Sequence, residues 1–147
     1  LHFTPELLAQ FPHAFVTLHV GLGTFRPIKT QDFRDHPMHE EKYEIHLGLA
    51  EKVAAATRTI AVGTTSARVL ESAPNLSPHH GTTSAFFYPP YQFQRISGLL
   101  TNFHLAHSTL LLLVAAFAGP ELTLRAYRHA LEKKYRFFSF GDAMLIL

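Results

Sequence analysis

The sequence contains no cysteine among its 147 residues. The chain therefore cannot form a disulfide framework, use a thiolate nucleophile, or bind zinc or an iron–sulfur cluster through sulfur. Charged residues are scarce, at 16%, whereas hydrophobic residues reach 47%. This balance excludes a disordered or fibrous protein. A chain of this length is expected to form one domain, or a large piece of one, with a real core.

Long apolar runs are also missing. The most apolar stretch, 110–118, has nine residues, whereas a membrane span needs about 20. The chain starts at Leu1, and no charged-then-apolar signal peptide follows. We therefore expect a cytoplasmic protein without membrane contact, in which 110–118 is a buried core helix.

Positive charge is concentrated in the second half of the chain. Residues 75–147 carry six Lys and Arg against three Asp and Glu, and five of the six cations lie within 125–136. A local basic patch indicates an anionic partner. The eleven histidines add positive charge in mild acid.

Hydrophobic patterning and turn residues predict strands that alternate with helices. Strands are expected at 14–20, 43–47, 59–62, 85–88, 96–100 and 143–147. Helices are expected at 4–11, 48–57, 64–73, 108–118 and 121–135, and a loop at 74–84. On the last helix, Ala126, Tyr127, Ala130 and Leu131 should share the inner face. The alternation favours an α/β fold, either a mostly parallel sheet or a partial α/β barrel with helices packed outside.

A glycine-rich turn follows the first predicted strand. Gly21, Gly23 and Thr24 stand in Val-Gly-Leu-Gly-Thr, and consecutive backbone N–H groups at such a turn can form an anion nest. The full dinucleotide fingerprint is missing, because Arg26 stands where the third glycine would be. An ordinary tight turn is the alternative.

Hydroxyl residues mark the start of the helix that follows the strand 59–62. Thr64, Thr65 and Ser66 come directly after Gly63, and Arg68 follows. Free N–H groups at a helix start favour a phosphate or a carboxylate, and arginine can add a charged fork. Ordinary helix capping by threonine is the alternative.

Polar side chains also end the strand 96–100. Asn102, His104 and His107 precede the apolar helix, and strand ends of α/β sheets are typical places for function. His104 and His107 could share a metal, with His36, His39 and Glu40 as a second cluster. Catalytic zinc normally requires three protein ligands, however, so hydrogen-bonded histidines are the favoured interpretation.

Basic and aromatic residues alternate near the end of the chain, from Tyr135 to Phe140. This pattern suits RNA, through phosphate contacts and base stacking. The phenylalanines are better explained as a hydrophobic plug between the last helix and the last strand, which leaves Arg136 open as an RNA contact.

The same segments, in this order, resemble the S-adenosylmethionine:tRNA ribosyltransferase-isomerase family of queuosine biosynthesis. The matching stretches cover essentially the whole chain: 1–4, 17–27, 35–40, 62–66, 101–105, 108–111 and 135–144. Pro90 and Ala106 stand where the family usually has glycine and proline. The chain looks like the C-terminal part of the family's main barrel domain, 1–147, without the N-terminal part and the small β-domain.

The resemblance implies an unusual transfer. The ribosyl group of S-adenosyl-L-methionine goes to 7-aminomethyl-7-deazaguanine at the tRNA wobble position and rearranges to an epoxycyclopentanediol. The product is epoxyqueuosine, and adenine and methionine leave. S-adenosyl-L-methionine is a substrate, no metal is implied, and the partners are the tRNA anticodon stem-loop and the enzyme's N-terminal part, without DNA.

Matching residue types to these tasks gives a set of expected roles. His104 is the first choice for general base or acid, with His19 and His39 as rivals. Cofactor contacts are expected from Gly21, Gly23, Thr24, Thr64, Thr65, Ser66 and Asn102, and RNA contacts from Arg68, Arg125, Arg128 and Arg136. Two other classes stay open: a non-catalytic tRNA- or nucleotide-binding module, and a metal-dependent hydrolase.

Overall fold

The computed structural model describes residues 3–21, 24, 27–139 and 141–147. The helices are α1 Pro5–Leu8, α2 Leu49–Ala55, α3 Thr64–Ser72, α4 Thr109–Ala118 and α5 Pro120–Glu132, with a short 3-10 helix at Phe33–Asp35. The strands are β1 Val16–His19, β2 Glu41–Ile45, β3 Ile60–Val62, β4 His79–Thr83, β5 Gly98–Asn102 and β6 Ala143–Ile146.

Local chemistry explains where several helices begin and end. The Thr4 hydroxyl accepts a hydrogen bond from Leu7 N at 3.2 Å, and Ser108 Oγ does the same for Leu111 N at 3.1 Å. Gly119 has a φ of +85°, and Pro120 is the first residue of the next helix. Because few other residues adopt that φ readily, α4 and α5 are separated by a sharp corner at this glycine.

The strands form two small sheets. One sheet has the order β1-β2-β4 and is antiparallel throughout; the other has the order β3-β5-β6. In the second sheet β3 runs parallel to β5, whereas β6 is antiparallel to it. The expectation of a mostly parallel sheet is therefore wrong for the described residues: the fold is mixed α/β with one parallel strand pair in four. The partial barrel stays a prediction.

A second expectation is wrong, because part of the predicted loop 74–84 forms the strand β4. Its sequence, His-His-Gly-Thr-Thr, is too polar to be recognised by hydrophobic patterning. Pairing with β2 holds it in place, and a side chain at Gly81 would collide with the Tyr43 ring. Residues 85–88 form no strand; Phe87 instead stacks edge-on against Tyr91 with ring centroids 4.6 Å apart.

Helix α3 lies at the centre of the fold. It contacts β1 of the first sheet and β3 and β5 of the second, and Ala67 and Val69 on it are completely buried. Ile45, Leu99 and Val114 bring both sheets and α4 into the same core. The start of α3 is therefore held from several sides. Leu131 of α5, predicted to face inward, is 65% exposed, which corrects that expectation.

No single described helix is long and apolar enough to cross a membrane. Helices α4 and α5 reach that length and apolarity only when they are taken together, and they meet at a bend of 116°.

Candidate functional site

A cavity of about 270 Å³ lies at the first turn of α3. Gly63, which precedes α3, has a φ of +88° and no side chain to cap the helix. Its N–H donates to Leu100 O at 2.7 Å, which ties the turn to β5. Gly63, Thr64 and Thr65 line the cavity. The uncapped helix start therefore presents backbone donors and positive partial charge to this space.

The residues around the cavity come from segments far apart in the sequence. Thr24 comes from the glycine-rich turn, and Phe138 and Ser139 come from the segment before β6. The end of β5 and the residues after it contribute Thr101, Asn102, His104 and Leu105. All four motifs that stand out in the sequence thus contribute to one cavity, together with Arg68 from the second turn of α3.

A buried ion pair supports one wall. Arg68 donates through Nη1 to Glu41, the first residue of β2, and only 4% and 1% of these two side chains is exposed. Glu41 also accepts from the Thr24 hydroxyl and, at 2.8 Å, from Gly21 N. The carboxylate therefore joins the glycine-rich turn, β2 and α3.

The surroundings of Glu41 favour the charged form of its carboxylate. Burial alone would raise the pKa of Glu41, but the hydrogen bonds from Thr24 and Gly21 and the charge of Arg68 hold the pKa below its ordinary value. Glu41 is therefore ionised at neutral pH. Two donors of Arg68, Nε and Nη2, are buried without a hydrogen-bond partner in the part of the chain that the structure describes.

His104 lies just after β5 and lines the cavity. Its Nε2 is 2.9 Å from Thr101 Oγ1, and its backbone N–H donates to the Tyr127 hydroxyl at 2.9 Å. Burial lowers the pKa of His104 to about 4, because the charged imidazolium loses solvation. Burial likewise raises the pKa of Tyr127. At neutral pH the cavity therefore contains an uncharged imidazole in a fixed orientation.

Asn102 also lines the cavity, but its amide holds two strands together. Its Nδ2 is 3.4 Å from Gly141 O and 3.3 Å from Asp142 O, at the start of β6. Ser66 turns away, since its hydroxyl donates to Val62 O at 2.9 Å, and it does not line the cavity. Of the predicted hydroxyl groups, Thr24, Thr64 and Thr65 are therefore the ones brought together.

Several predicted residues lie elsewhere. His19 and His39 are exposed and do not line the cavity, so of the three predicted histidines only His104 lies there. Gly21 contacts Glu41 rather than the cavity, and Gly23 lies outside the described residues. The structure brings no three His, Asp or Glu side chains together within the described ranges, so no ligand set there favours the metal-dependent hydrolase.

The predicted RNA contacts separate into two groups. Arg125 and Arg128 are exposed on α5, and Arg136 is exposed beside Asp142, with Nη2 3.7 Å from Oδ1. Arg68, in contrast, is buried in its ion pair. Its side chain pairs with Glu41 and lines the cavity, so it does not lie with the exposed arginines, and its contact with RNA stays a prediction.

Sequence reasoning missed Glu41. Its position in the strand could have indicated burial, because Glu41, Tyr43 and Ile45 occupy every second position of β2 and are all buried. A carboxylate in register with two core residues at period two points inward. An inward carboxylate requires a cationic or hydrogen-bonding partner, but the sequence does not say which residue supplies it.

The fold is mixed α/β, and one cavity brings together the start of α3, the buried Arg68 and His104. A family model described as "Queuosine biosynthesis protein" matches residues 1–146. The chain belongs to this family.

Curated relatives carry one name. A S-adenosylmethionine:tRNA ribosyltransferase-isomerase of Carboxydothermus hydrogenoformans is 55% identical over the whole of this chain and 47% of its own length. A protein of the same name from a Thermoanaerobacter strain is 51% identical over the whole chain and 47% of its own length. The chain thus spans about half the length of the curated relatives it matches.

A solved structure supports the same assignment. The crystal structure of a S-adenosylmethionine tRNA ribosyltransferase from Thermotoga maritima matches with a TM-score of 0.80 at 43% identity. The match covers 99% of this chain and 50% of that one. The mixed α/β arrangement therefore agrees with that of a solved relative.

Proposed function

We propose that the chain acts as the adenosylmethionine-binding and reacting part of a S-adenosylmethionine:tRNA ribosyltransferase-isomerase. In this reaction the ribosyl group of S-adenosyl-L-methionine is transferred to 7-aminomethyl-7-deazaguanine at the tRNA wobble position and isomerised. Epoxyqueuosine forms, and adenine and methionine are released. The relatives' names supply the reaction class, and the cavity supplies a place for it.

One observation carries the proposal. The cavity combines an uncapped helix start, a buried arginine and an uncharged histidine; the helix start and the histidine come from segments that resemble the family. Its volume of about 270 Å³ falls just below the roughly 300–1,000 Å³ typical of small-molecule pockets. We therefore assign to it the ribose and methionine portions of the substrate.

His104 is proposed as the general base. The chemistry requires removal of a proton beside the sulfonium, and a base must be deprotonated to accept it. With a pKa of about 4, the imidazole is deprotonated at neutral pH and available to accept the proton, while the same burial makes it a weaker base than a free histidine. Its lack of charge also avoids repulsion of the sulfonium cation. As a general acid it would be poorly suited, because little of it carries the proton at that pH.

The remaining contacts are proposed from the lining of the cavity and from the sequence motifs. Thr24, which lines the cavity, is proposed to approach the ribose or methionine part, and Gly21 and Gly23 keep the same proposed role from the sequence motif alone. Thr64 and Thr65, with Ser66 in the same helical turn, offer backbone N–H groups to an anionic group. Asn102 orients the end of β5, where the reacting carbon would lie.

The tRNA surface is proposed to include the exposed arginines of α5, Arg125 and Arg128, together with Arg136. These side chains suit contacts with backbone phosphates of the anticodon stem-loop, because phosphate contacts are electrostatic and independent of sequence.

The proposal is tested by product formation. The chain is incubated with S-adenosylmethionine and an anticodon stem-loop that carries the deazaguanine amine, and the digested nucleosides are weighed by mass spectrometry. A mass gain equal to the ribosyl-derived ring is expected from a sample that melts cooperatively. A folded chain that yields no gain but still binds the stem-loop contradicts the catalytic assignment.

That second outcome would favour another function, a non-catalytic tRNA- or nucleotide-binding module. This alternative is considered because the chain spans about half the length of its curated relatives. If essential groups of the reaction lie in the other half, this half would bind without turning over.

A further inference from the structure

The guanidinium of Arg68 is hydrogen-bonded on one side and, among the described residues, has no hydrogen-bond partner along the other. Nη1 donates to Glu41 and lies 3.3 Å from Thr24 Oγ1. Nε and Nη2 have no hydrogen-bond partner among the residues that the structure describes, although the side chain is only 4% exposed. These two nitrogens form the edge of a guanidinium whose parallel N–H groups match the two oxygens of a carboxylate or phosphate.

A buried guanidinium edge without a hydrogen-bond acceptor is energetically unfavourable. A buried donor without an acceptor loses its hydration and gains nothing in return, and the loss is larger on a charged group. The same cavity also contains the uncapped first turn of α3, with Gly63, Thr64 and Thr65 in its lining. Two independent features thus favour a negative group at this wall of the cavity.

We propose that Arg68 binds the α-carboxylate of S-adenosylmethionine through Nε and Nη2, with Glu41 as the positioning residue that fixes Nη1. The inference rests on the proposed function, which supplies the ligand. Glu41 and Thr24 hold one side of the guanidinium so that the other side keeps a single orientation. The helix start adds positive partial charge, which offsets the repulsion between the two carboxylates.

A carboxylate fits this position better than an RNA phosphate. The Arg68 side chain is only 4% exposed, so its nitrogens do not lie at the surface along which a nucleic-acid backbone would run. A carboxylate at the end of a flexible methionine chain is small enough to enter the cavity that Arg68 lines. The exposed arginines of α5 suit phosphates better, since they lie at the surface.

The test compares two ligands that differ only in this group. Dissociation constants are measured by calorimetry for S-adenosylhomocysteine and for its decarboxylated analogue. The wild-type chain is expected to prefer the carboxylate-bearing ligand by about 10- to 100-fold, the range for charge-assisted hydrogen bonds. In Arg68→Lys, which keeps the charge but loses the fork, this preference should fall several-fold.

A second variant guards against misfolding of the first. Glu41→Gln combined with Arg68→Met removes both charges and leaves no unpaired ion, and its preference should approach unity. Arg58→Lys, at an exposed arginine, is the matched control and should keep the wild-type preference. Affinity for the anticodon stem-loop is measured on the same samples.

The outcomes distinguish failure of the Arg68 inference from failure of the proposed function. Equal binding of both ligands by the wild-type chain, or an unchanged preference in the Arg68 variants, overturns the inference and leaves the proposed function standing. Loss of stem-loop affinity with an unchanged preference identifies an RNA phosphate as the anion and also overturns it. No binding of either adenosyl ligand to the folded wild-type chain overturns the proposed function as well.

Discussion

Substitution of Glu41 by glutamine is the sharpest probe of the buried network. Both partners of the pair are almost fully buried, with 2% of Glu41 and 3% of Arg68 exposed. Glutamine keeps the size of the side chain but removes the negative charge. The Arg68 guanidinium then stays buried without the Glu41 charge, and two of its nitrogens already have no hydrogen-bond partner within the described part of the chain.

The expected cost is large. Removal of one partner from a buried ion pair destabilises proteins by about 3–5 kcal/mol, out of a total free energy of unfolding of about 5–15 kcal/mol. Glu41→Gln should therefore remove about a fifth or more of the free energy of unfolding. Replacement of both partners, in Glu41→Gln with Arg68→Met, should recover most of this loss, since neutral replacements of buried pairs are often tolerated.

Urea denaturation followed by far-ultraviolet circular dichroism measures these differences. Glu40→Gln is the matched control, because Glu40 is the adjacent, exposed glutamate and surface changes usually stay within about 0.5 kcal/mol. If Glu41→Gln also stays within that range, or if the double variant loses as much as the sum of the two single variants, the pair is not coupled as described.

Four other predictions follow from named contacts. The pKa of His104 is about 4 in the folded chain and 6.5 in the unfolded chain. Between these pH values the unfolded chain binds the extra proton, so the free energy of unfolding falls by up to about 3 kcal/mol as the pH is lowered from 6.5 to 4. His104→Gln should abolish this fall. His104→Ala should lower turnover by about 100-fold or more in the assay described above; unchanged turnover would remove its role as base. Glu71→Gln should cost about 2–4 kcal/mol in urea denaturation, because the carboxylate accepts from three backbone N–H groups and the Tyr91 hydroxyl; a cost below about 0.5 kcal/mol would contradict this. Replacement of Arg125 and Arg128 by alanine should weaken stem-loop binding and flatten its salt dependence; an unchanged slope would exclude them as phosphate contacts.

The sequence predicted elements whose signals are local. The helix starts at Thr4 and Ser108 and the break at Gly119 depend on single residues and their neighbours, so capping rules located them. Predicted and observed bounds of the other helices and of β1, β2, β3, β5 and β6 differ by at most three residues. Such differences are ordinary at the ends of elements, where fraying and pairing decide the last residues.

The missed elements depend on partners far away in the chain. The polar strand β4 exists because β2 offers hydrogen bonds and Tyr43 needs the space above Gly81. The direction of β6 relative to β5 is likewise a property of the sheet and not of either strand. Propensity within one segment carries no information about either contact.

The candidate site was predicted in part for the same reason. Strand ends and helix starts indicated Thr24, Thr64, Thr65, Asn102 and His104, and the fold brings these five to one cavity. Their chemistry depends on burial, which the sequence did not reveal: Arg68 is buried against Glu41, and His104 loses solvation. His19 and His39 remained rivals because residue type alone does not distinguish an exposed histidine from one inside a cavity.

The central claim is that S-adenosylmethionine binds in the cavity between the start of α3 and the end of β5. The most direct measurement is the crystal structure of the chain with S-adenosylhomocysteine, which lacks the reactive sulfonium. The account predicts that the ligand's carboxylate lies at the first turns of α3, beside Thr64 and Arg68, and that its ribose lies near His104. A ligand bound elsewhere, with this cavity left empty, would contradict the account.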